Sequence, residues 1–302
     1  MGGHAQALIS ASKMLSAISD APDWFLSAVR HPRSRHTVES SGAALNVALW
    51  NEAAVDKPPL LFVHGFRAHT HWWDHIAPFF VDRYRVAAMD LSGMGHSDRR
   101  PAYKAEHFSG DIVAVGRWLK NAAPGAPLTT IGHSFGGSRT LEACAKERGL
   151  IDHAIVLDSM FRLDGDVPHP RERLGRPAPY PDEASALARF RLLPSQNALP
   201  YLLEHVALNS IGPVKGGWSW LFDLDMPATL DFGAGEPVLR SIYNRVDLVR
   251  GELSTVLDDA RASRIVSLLR NTQDPIVVPD AHHHLMLDQP IELISVLRGL
   301  LK

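Results

Sequence analysis

The chain has 302 residues, 45% apolar and 21% charged, enough to bury a full core in one large domain with an insertion. Its formal charge is -2 and its Arg and Lys are spread along the sequence, which leaves no basic footprint for nucleic acid. The one cysteine, Cys144, excludes an internal disulfide framework and fits a reducing compartment.

Met1 to Ser19 has no basic start, and Lys13 interrupts its apolar run, so it does not read as a signal peptide. No stretch reaches the roughly 18 uninterrupted apolar residues of a membrane span. The expectation is a cytoplasmic protein without a membrane partner. Leu8, Ile9, Leu15 and Ile18 have amphipathic spacing, and Trp24, Phe25 and Val29 continue an apolar face. Residues 1–35 therefore read as a helical extension that docks on the body or on a second copy, making a homodimer.

Val38 and Leu45 to Trp50 alternate as two antiparallel strands. Leu60 to Val63 is a compact apolar strand ending in His64-Gly65-Phe66, and Trp72 to Val81 reads as the following helix. Arg85 to Met89 is the next strand. It runs into Asp90-Leu91-Ser92-Gly93-Met94-Gly95-His96-Ser97, and a helix from about Glu106 to Lys120 follows. Leu128 to Ile131 and Ala154 to Leu157 are further buried strands around a helix from Ser138 to Arg148. This alternation predicts an α/β fold with a parallel sheet covered on both faces by right-handed crossovers. From about Phe161 to Ala228 the pattern breaks: prolines cluster, short helices are suggested at Asp182 to Phe190 and Leu199 to Asn209, and Gly216-Gly217-Trp218-Ser219-Trp220 reads as aromatic and flexible. That stretch is expected to be an inserted helical cap over the strand ends. Alternation resumes with Arg245 to Arg250, a helix near Asp258 to Leu269, the strand Ile276 to Val278 and a last helix from Pro290 to Leu301.

Gly132-His133-Ser134-Phe135-Gly136 is a G-x-S-x-G turn between a strand and a helix. A turn this sharp needs glycine on both sides, because side chains there would strike the neighbouring strand or helix. It sets Ser134 as the candidate nucleophile. A serine hydroxyl is too weakly acidic to attack unaided and needs an imidazole to take its proton. Pro279-Asp280-Ala281-His282-His283-His284 follows the last strand, and His283 is the expected base, with its neighbours pointing elsewhere. A rival lies at His69-Thr70-His71-Trp72-Trp73-Asp74-His75, one residue off the H-x-H-x-D-H spacing of binuclear metal sites; on a helix His71 and His75 would share a face. The simpler reading has Trp72 and Trp73 packing on the sheet, with no metal and no cofactor.

Together, His64-Gly65-Phe66, the Asp90 to Ser97 loop, Gly132 to Gly137, and Asp280 to His284 with Asp288-Gln289-Pro290 resemble the successive motifs of the α/β-hydrolase superfamily, in its serine-nucleophile branch. The match runs from about residue 36 to 302. The resemblance implies a mostly parallel eight-stranded sheet, a core of residues 36–160 and 229–302, and a cap at 161–228. It implies an oxyanion hole from the backbone N–H groups of Phe66 and Phe135. Glycine is the usual occupant where His282 stands, a departure that keeps 282 and 283 both open as the base. The acid most often follows the strand Arg245 to Arg250, but 254 and 255 are hydroxyl residues here. Some branches place it one strand earlier, where Asp158 stands. Asp158 is the expected acid, with Glu252 and Asp258 as alternatives.

The resemblance implies a Ser134–His283–Asp158 triad cleaving a small-molecule carboxylic ester, lactone or related acyl compound. The same triad serves C–C cleavage of diketones, and a non-catalytic binding protein is a further alternative. Serine at 134 argues against haloalkane dehalogenases and epoxide hydrolases, which need a carboxylate there. Trp218, Trp220 and Tyr180 are expected to line the pocket. Arg162, Arg171, Arg173, Arg176, Arg189 and Arg191 offer cations to a substrate carboxylate, against the commoner role of a solvated face.

Overall fold

The structure, a computed structural model, describes residues 18–166, 178–226 and 235–302. Ten strands are found among them: β1 Arg33–Ser40, β2 Ala43–Trp50, β3 Pro59–Val63, β4 Arg85–Met89, β5 Thr129–His133, β6 His153–Leu157, β7 Ile211–Val214, β8 Gly217–Trp220, β9 Arg245–Gly251 and β10 Ile276–Val278. Eight form one sheet in the order β1-β2-β4-β3-β5-β6-β9-β10, antiparallel at β1-β2 and β2-β4 and parallel from β4 to β10. The helices are α1 Asp23–Val29, α2 Ala105–Ala122, α3 Phe135–Lys146, α4 Glu183–Leu187, α5 Pro200–Leu208, α6 Glu236–Arg240, α7 Asp259–Leu268, α8 Leu285–Asp288 and α9 Pro290–Leu300.

Strands β3, β4, β5 and β6 are buried along their whole length because both faces of a parallel sheet are covered. Successive residues alternate between layers. Leu61 and Val63 of β3 join one apolar cluster with Phe108, Ile112 and Leu119 of α2 and Leu141 of α3. Leu60 and Phe62 join the other, with Trp73, Ile76, Phe80 and α9 residues Leu293 and Leu297. The edge hairpin β1-β2 turns through Ser41 and Gly42, both with positive φ (46° and 78°), whose twist matches antiparallel strands.

Three expectations need correction. Trp72 to Val81 is not one helix but two 3-10 turns, Thr70–Trp73 and Ala77–Phe80. Pro78 has no N–H, and its ring would strike the carbonyl one turn back, so a helix cannot run through it. Within 161–228 the structure is not purely helical: besides α4 and α5 it holds the β7-β8 hairpin, and Tyr180 pairs by backbone with Trp218 in both directions at 2.8 Å. Aromatic residues at 218 and 220 favour a pleated strand over a flexible loop. At the start, β1 begins at Arg33, opposite Trp50, ahead of the expected boundary at 35/36. Residues 1–17, the arginines at 171, 173 and 176, and residues 227–234 lie outside the described residues.

Among the described residues no helix is long and apolar enough to cross a membrane. The apolar face of α1 docks on the body. Phe25 is fully buried, its ring 4.9 Å from Tyr201 and 5.7 Å from His205 of α5, and 6.3 Å from His75. Phe25→Ala should therefore cost about 3–5 kcal/mol of unfolding free energy in urea. An unchanged midpoint would mean that α1 is a loose appendage.

Candidate active site

Because β3, β5, β6, β9 and β10 run in parallel, the loops holding His64, Ser134, Asp158, Ser254 and His283 all emerge at one edge of the sheet. Ser134 stands between β5 and α3 with φ 51° and ψ -119°, a conformation that non-glycine residues rarely adopt. The turn closes only because its neighbours are small. A Cβ on Gly132 would lie 2.7 Å from both the Gly136 carbonyl and the Gly137 Cα, and one on Gly136 would lie 2.7 Å from the Val63 carbonyl of β3.

The hydroxyl of Ser134 is 3.0 Å from Nε2 of His283, and Nδ1 of the same ring is 2.8 Å from Asp158 Oδ1. With Asp158 ionised, Nδ1–H donates to the carboxylate and Nε2 is left to accept from the serine. Asp158 is fully buried at φ 45°. Its Oδ2 accepts from the Gly251 N–H at 2.8 Å and its Oδ1 from the Ser254 hydroxyl at 2.6 Å. A hydroxyl at 254, where a carboxylate was more to be expected, thus serves as a donor to the carboxylate one strand earlier. Neither alternative acid is bonded to His283: the Glu252 carboxylate accepts from the Asp280 N–H at 3.0 Å, and Asp258 caps α7 through the Arg261 N–H at 2.7 Å.

The choice between 282 and 283 is equally local. His282 turns to Asp288, with its backbone N–H at 2.7 Å and Nδ1 at 2.9 Å from Oδ2, so its ring lies away from Ser134. Sequence reasoning missed His133. Its Nε2–H donates to the His283 carbonyl at 2.9 Å and fixes the backbone that carries the imidazole. His64 braces the neighbouring loop, donating from Nδ1 to the Gly65 carbonyl at 2.7 Å and accepting at Nε2 from the Leu91 N–H at 3.1 Å. Gln196, also missed, accepts from the His284 N–H at 2.8 Å.

Ser134 and His283 open onto a cavity of about 570 Å³. Phe66, Trp72, Tyr180, Leu192, Trp220 and Phe222 supply its apolar wall. Of the three expected pocket aromatics, Tyr180 and Trp220 are therefore in place. Trp218, two residues and roughly 7 Å along β8 from Trp220, is not among the lining residues, although all three aromatics pack on the same cluster of Ala186, Leu187, Ala207 and Ile211.

The His69 to His75 segment is dispersed over separate jobs. His71 and Asp74 meet His205 of α5, and His205 Nε2 lies 2.9 Å from Asp74 Oδ2. Arg33 pairs with Asp74, while the guanidinium nitrogens of Arg33 and Arg35 reach the two nitrogens of His71 at 2.9 and 3.3 Å. A cation at this cluster would have to displace two guanidinium groups. His75 turns away and donates from Nε2 to the Met286 carbonyl at 2.7 Å, and His69 Nε2 is 2.8 Å from the Ser210 hydroxyl. A second histidine group, His133, His283 and His284, offers nitrogens within 4.8 Å of one another, but in it His133 and His283 already have the partners just described.

The family model for the alpha/beta hydrolase fold matches residues 58–290. The chain belongs to this family. A probable oxidoreductase, EphD of Mycobacterium tuberculosis, is 32% identical over 95 residues, which span 30% of this chain and only 16% of that protein. The 2-(acetamidomethylene)succinate hydrolase of Mesorhizobium japonicum is 25% identical over 75% of this chain and 82% of its own, and a solved structure of an enzyme of that activity superposes with a TM-score of 0.71 at 21% identity, covering 89% and 99% of the two chains. An esterase of M. tuberculosis is 24% identical over 85% and 86%; its structure gives a TM-score of 0.66 at 19% identity, covering 99% of each chain.

Burial dictates the charge of the protein's inner histidines. It is the largest cause that holds His69, His133 and His284 well below the ordinary imidazole value of 6.5, and it takes His75 down to about 4. Unfolded, these rings take up protons near pH 6.5; folded, they do not, so between pH 6.5 and 4 the unfolded chain binds more protons and stability falls with acid. Urea unfolding at pH 6 and pH 5 should show a loss approaching, at its limit, about 1.4 kcal/mol per pH unit for each such histidine, and His75→Gln should flatten the slope by up to one proton. A pH-independent unfolding free energy across that window would contradict their burial as neutral rings.

Proposed function

We propose that the hydrolase cleaves a carboxylic ester, lactone or related acyl compound through a covalent acyl-enzyme on Ser134. The observation that carries this reading is the continuous hydrogen-bonded chain Ser134 Oγ–His283–Asp158, at 3.0 and 2.8 Å, with its serine end at the cavity. As the Ser134 oxygen bonds to the substrate carbonyl carbon, its proton passes to His283 Nε2, and the Asp158 carboxylate stabilises the imidazolium and keeps Nδ1–H turned inward. The developing oxyanion is received by the backbone N–H groups of Phe66 and Phe135. Phe135 is the first residue of α3, where the helix dipole adds to the effect, and Phe66 follows the His64-braced turn. Collapse expels the alcohol with the proton from Nε2. Water then gives a proton to the same nitrogen as it attacks the acyl carbon, and collapse breaks the Ser134 Oγ–acyl bond, returning that proton to the serine oxygen and releasing the acid.

Residues 161–228 act in this reading as a cap on a core of 36–160 and 229–302, since Tyr180, Leu192 and Trp220 close the cavity over Ser134. The relatives named as an esterase and as a 2-(acetamidomethylene)succinate hydrolase support hydrolysis as the reaction type. Each chemical step is accounted for by side chains and backbone without a cofactor.

With p-nitrophenyl butyrate as substrate, Ser134→Ala should lower kcat by roughly 10⁴- to 10⁶-fold and Asp158→Asn by roughly 10⁴-fold. Glu252→Gln and added chelator should leave the rate near that of the wild type. Activity that survived Ser134→Ala and vanished with chelator would overturn the triad in favour of metal hydrolysis.

A further inference from the structure

Arg67 directly follows Phe66 and lines the cavity together with Ser134 and His283. Its backbone has φ 60°, an uncommon conformation for a long side chain, and its N–H is tied to the Met94 sulfur at 3.3 Å. The guanidinium carbon lies over two rings, Phe66 at 5.2 Å and Phe222 at 5.0 Å. Rings hold a guanidinium without taking its N–H donors. Among the described residues no carboxylate pairs with Arg67, and its Nε is buried without a hydrogen-bond partner. Burial alone depresses its pKa, with no opposing carboxylate.

Among the described residues, the cavity around it carries one sign of fixed charge. Its described wall contains Arg67, Arg189 and Arg191 and no Asp or Glu, while His133 and His284 are held neutral by burial. Arg189 and Arg191 are exposed, and Arg191 already donates to the Ala188 and Phe190 carbonyls. Arg67 is the inner cation, partly stripped of water and with no acidic partner among the described residues. A desolvated charge of this kind is costly unless a partner of opposite sign arrives, and the planar guanidinium fork matches a carboxylate in two parallel hydrogen bonds.

We propose that Arg67 is a specificity-determining residue that binds a carboxylate on the substrate, so that the hydrolase takes acyl compounds bearing an anionic carboxylate within reach of the scissile carbonyl. This rests on the acyl-hydrolase reading of the same site and names its substrate class. Arg67 selects the substrate by charge, while the apolar wall of Trp72, Trp220 and Phe222 receives the remainder.

The test separates binding from turnover. In a Ser134→Ala background, the mono-p-nitrophenyl ester of glutaric acid and neutral p-nitrophenyl butyrate are titrated by quenching of the cavity tryptophans Trp72 and Trp220. The ratio of the two Kd values should favour the anionic ester. Adding Arg67→Gln should reduce that preference by roughly 10- to 100-fold, Arg67→Lys should restore part of it, and salt should weaken the anionic ester selectively. An unchanged ratio in Arg67→Gln, or no preference before the substitution, overturns the proposal. Should Arg67→Gln fail to fold, the Lys variant and the salt dependence decide. Hydrolysis of either ester by the wild type reports separately on the triad, so the loss of one reading is distinguishable from the loss of the other.

Discussion

A carboxylate with no access to water must receive its hydrogen bonds from the protein, and Asp158 receives all of its own from loops that only this sheet order brings together. The Gly251 N–H and the Ser254 hydroxyl come from the end of β9, and the His283 ring comes from the loop after β10. Strand β6 lies beside β9, and β9 beside β10, so a side chain at the end of β6 can reach both. The positive φ of Asp158 turns the chain there, and its own N–H is anchored on the Val249 carbonyl at 2.7 Å. With that carboxylate fixed, the tautomer of His283 and the direction of its Nε2 follow. The serine is brought to the same point by a different constraint, the glycine-lined turn against β3.

The other buried histidines brace this arrangement. His64, His75 and His133 each donate one N–H to a backbone carbonyl, of Gly65, Met286 and His283 respectively. Burial keeps them neutral, which suits rings that each hold a loop in place through one fixed donor. At the outer side, Asp74 gathers Arg33, His71 and His205, and so ties β1, the loop after β3 and α5 into one polar cluster. Residues 178–226 are therefore fastened to the body on a charged cluster at one side and by backbone at the other, where the Leu199 N–H meets the Leu287 carbonyl at 2.9 Å.

What the sequence made legible were features whose physics is local. Short apolar runs between glycine-rich turns give buried parallel strands, and G-x-S-x-G between a strand and a helix demands one kind of turn. The missing carboxylate after β9 was legible too, and the nearest acid one strand earlier proved to be the one within reach. Partners brought together across the sheet were not legible. Ser254 is 96 residues from the carboxylate that it serves and His133 is 150 from the carbonyl that it holds. Periodicity misread Trp72 to Val81 because two tryptophans and two phenylalanines outweighed a single Pro78. The β7-β8 hairpin was hidden by the two glycines at 216 and 217, whose positive φ values of 93° and 143° make the turn rather than loosen it. Arg67 passed unnoticed because a charged residue after a glycine turn is ordinary in sequence; only the two rings beneath it and the absence of a described acid mark it out.

An activated serine reacts with an organophosphorus electrophile only where base and oxyanion donors are assembled together, whatever the natural substrate. Reaction of the full chain with a fluorophosphonate, followed by intact mass and peptide mapping, is thus the most direct measurement of the site. One adduct per chain, on Ser134 and abolished by prior unfolding, is the expected result. An unmodified chain, or an adduct on a different serine, would contradict the Ser134–His283–Asp158 assignment.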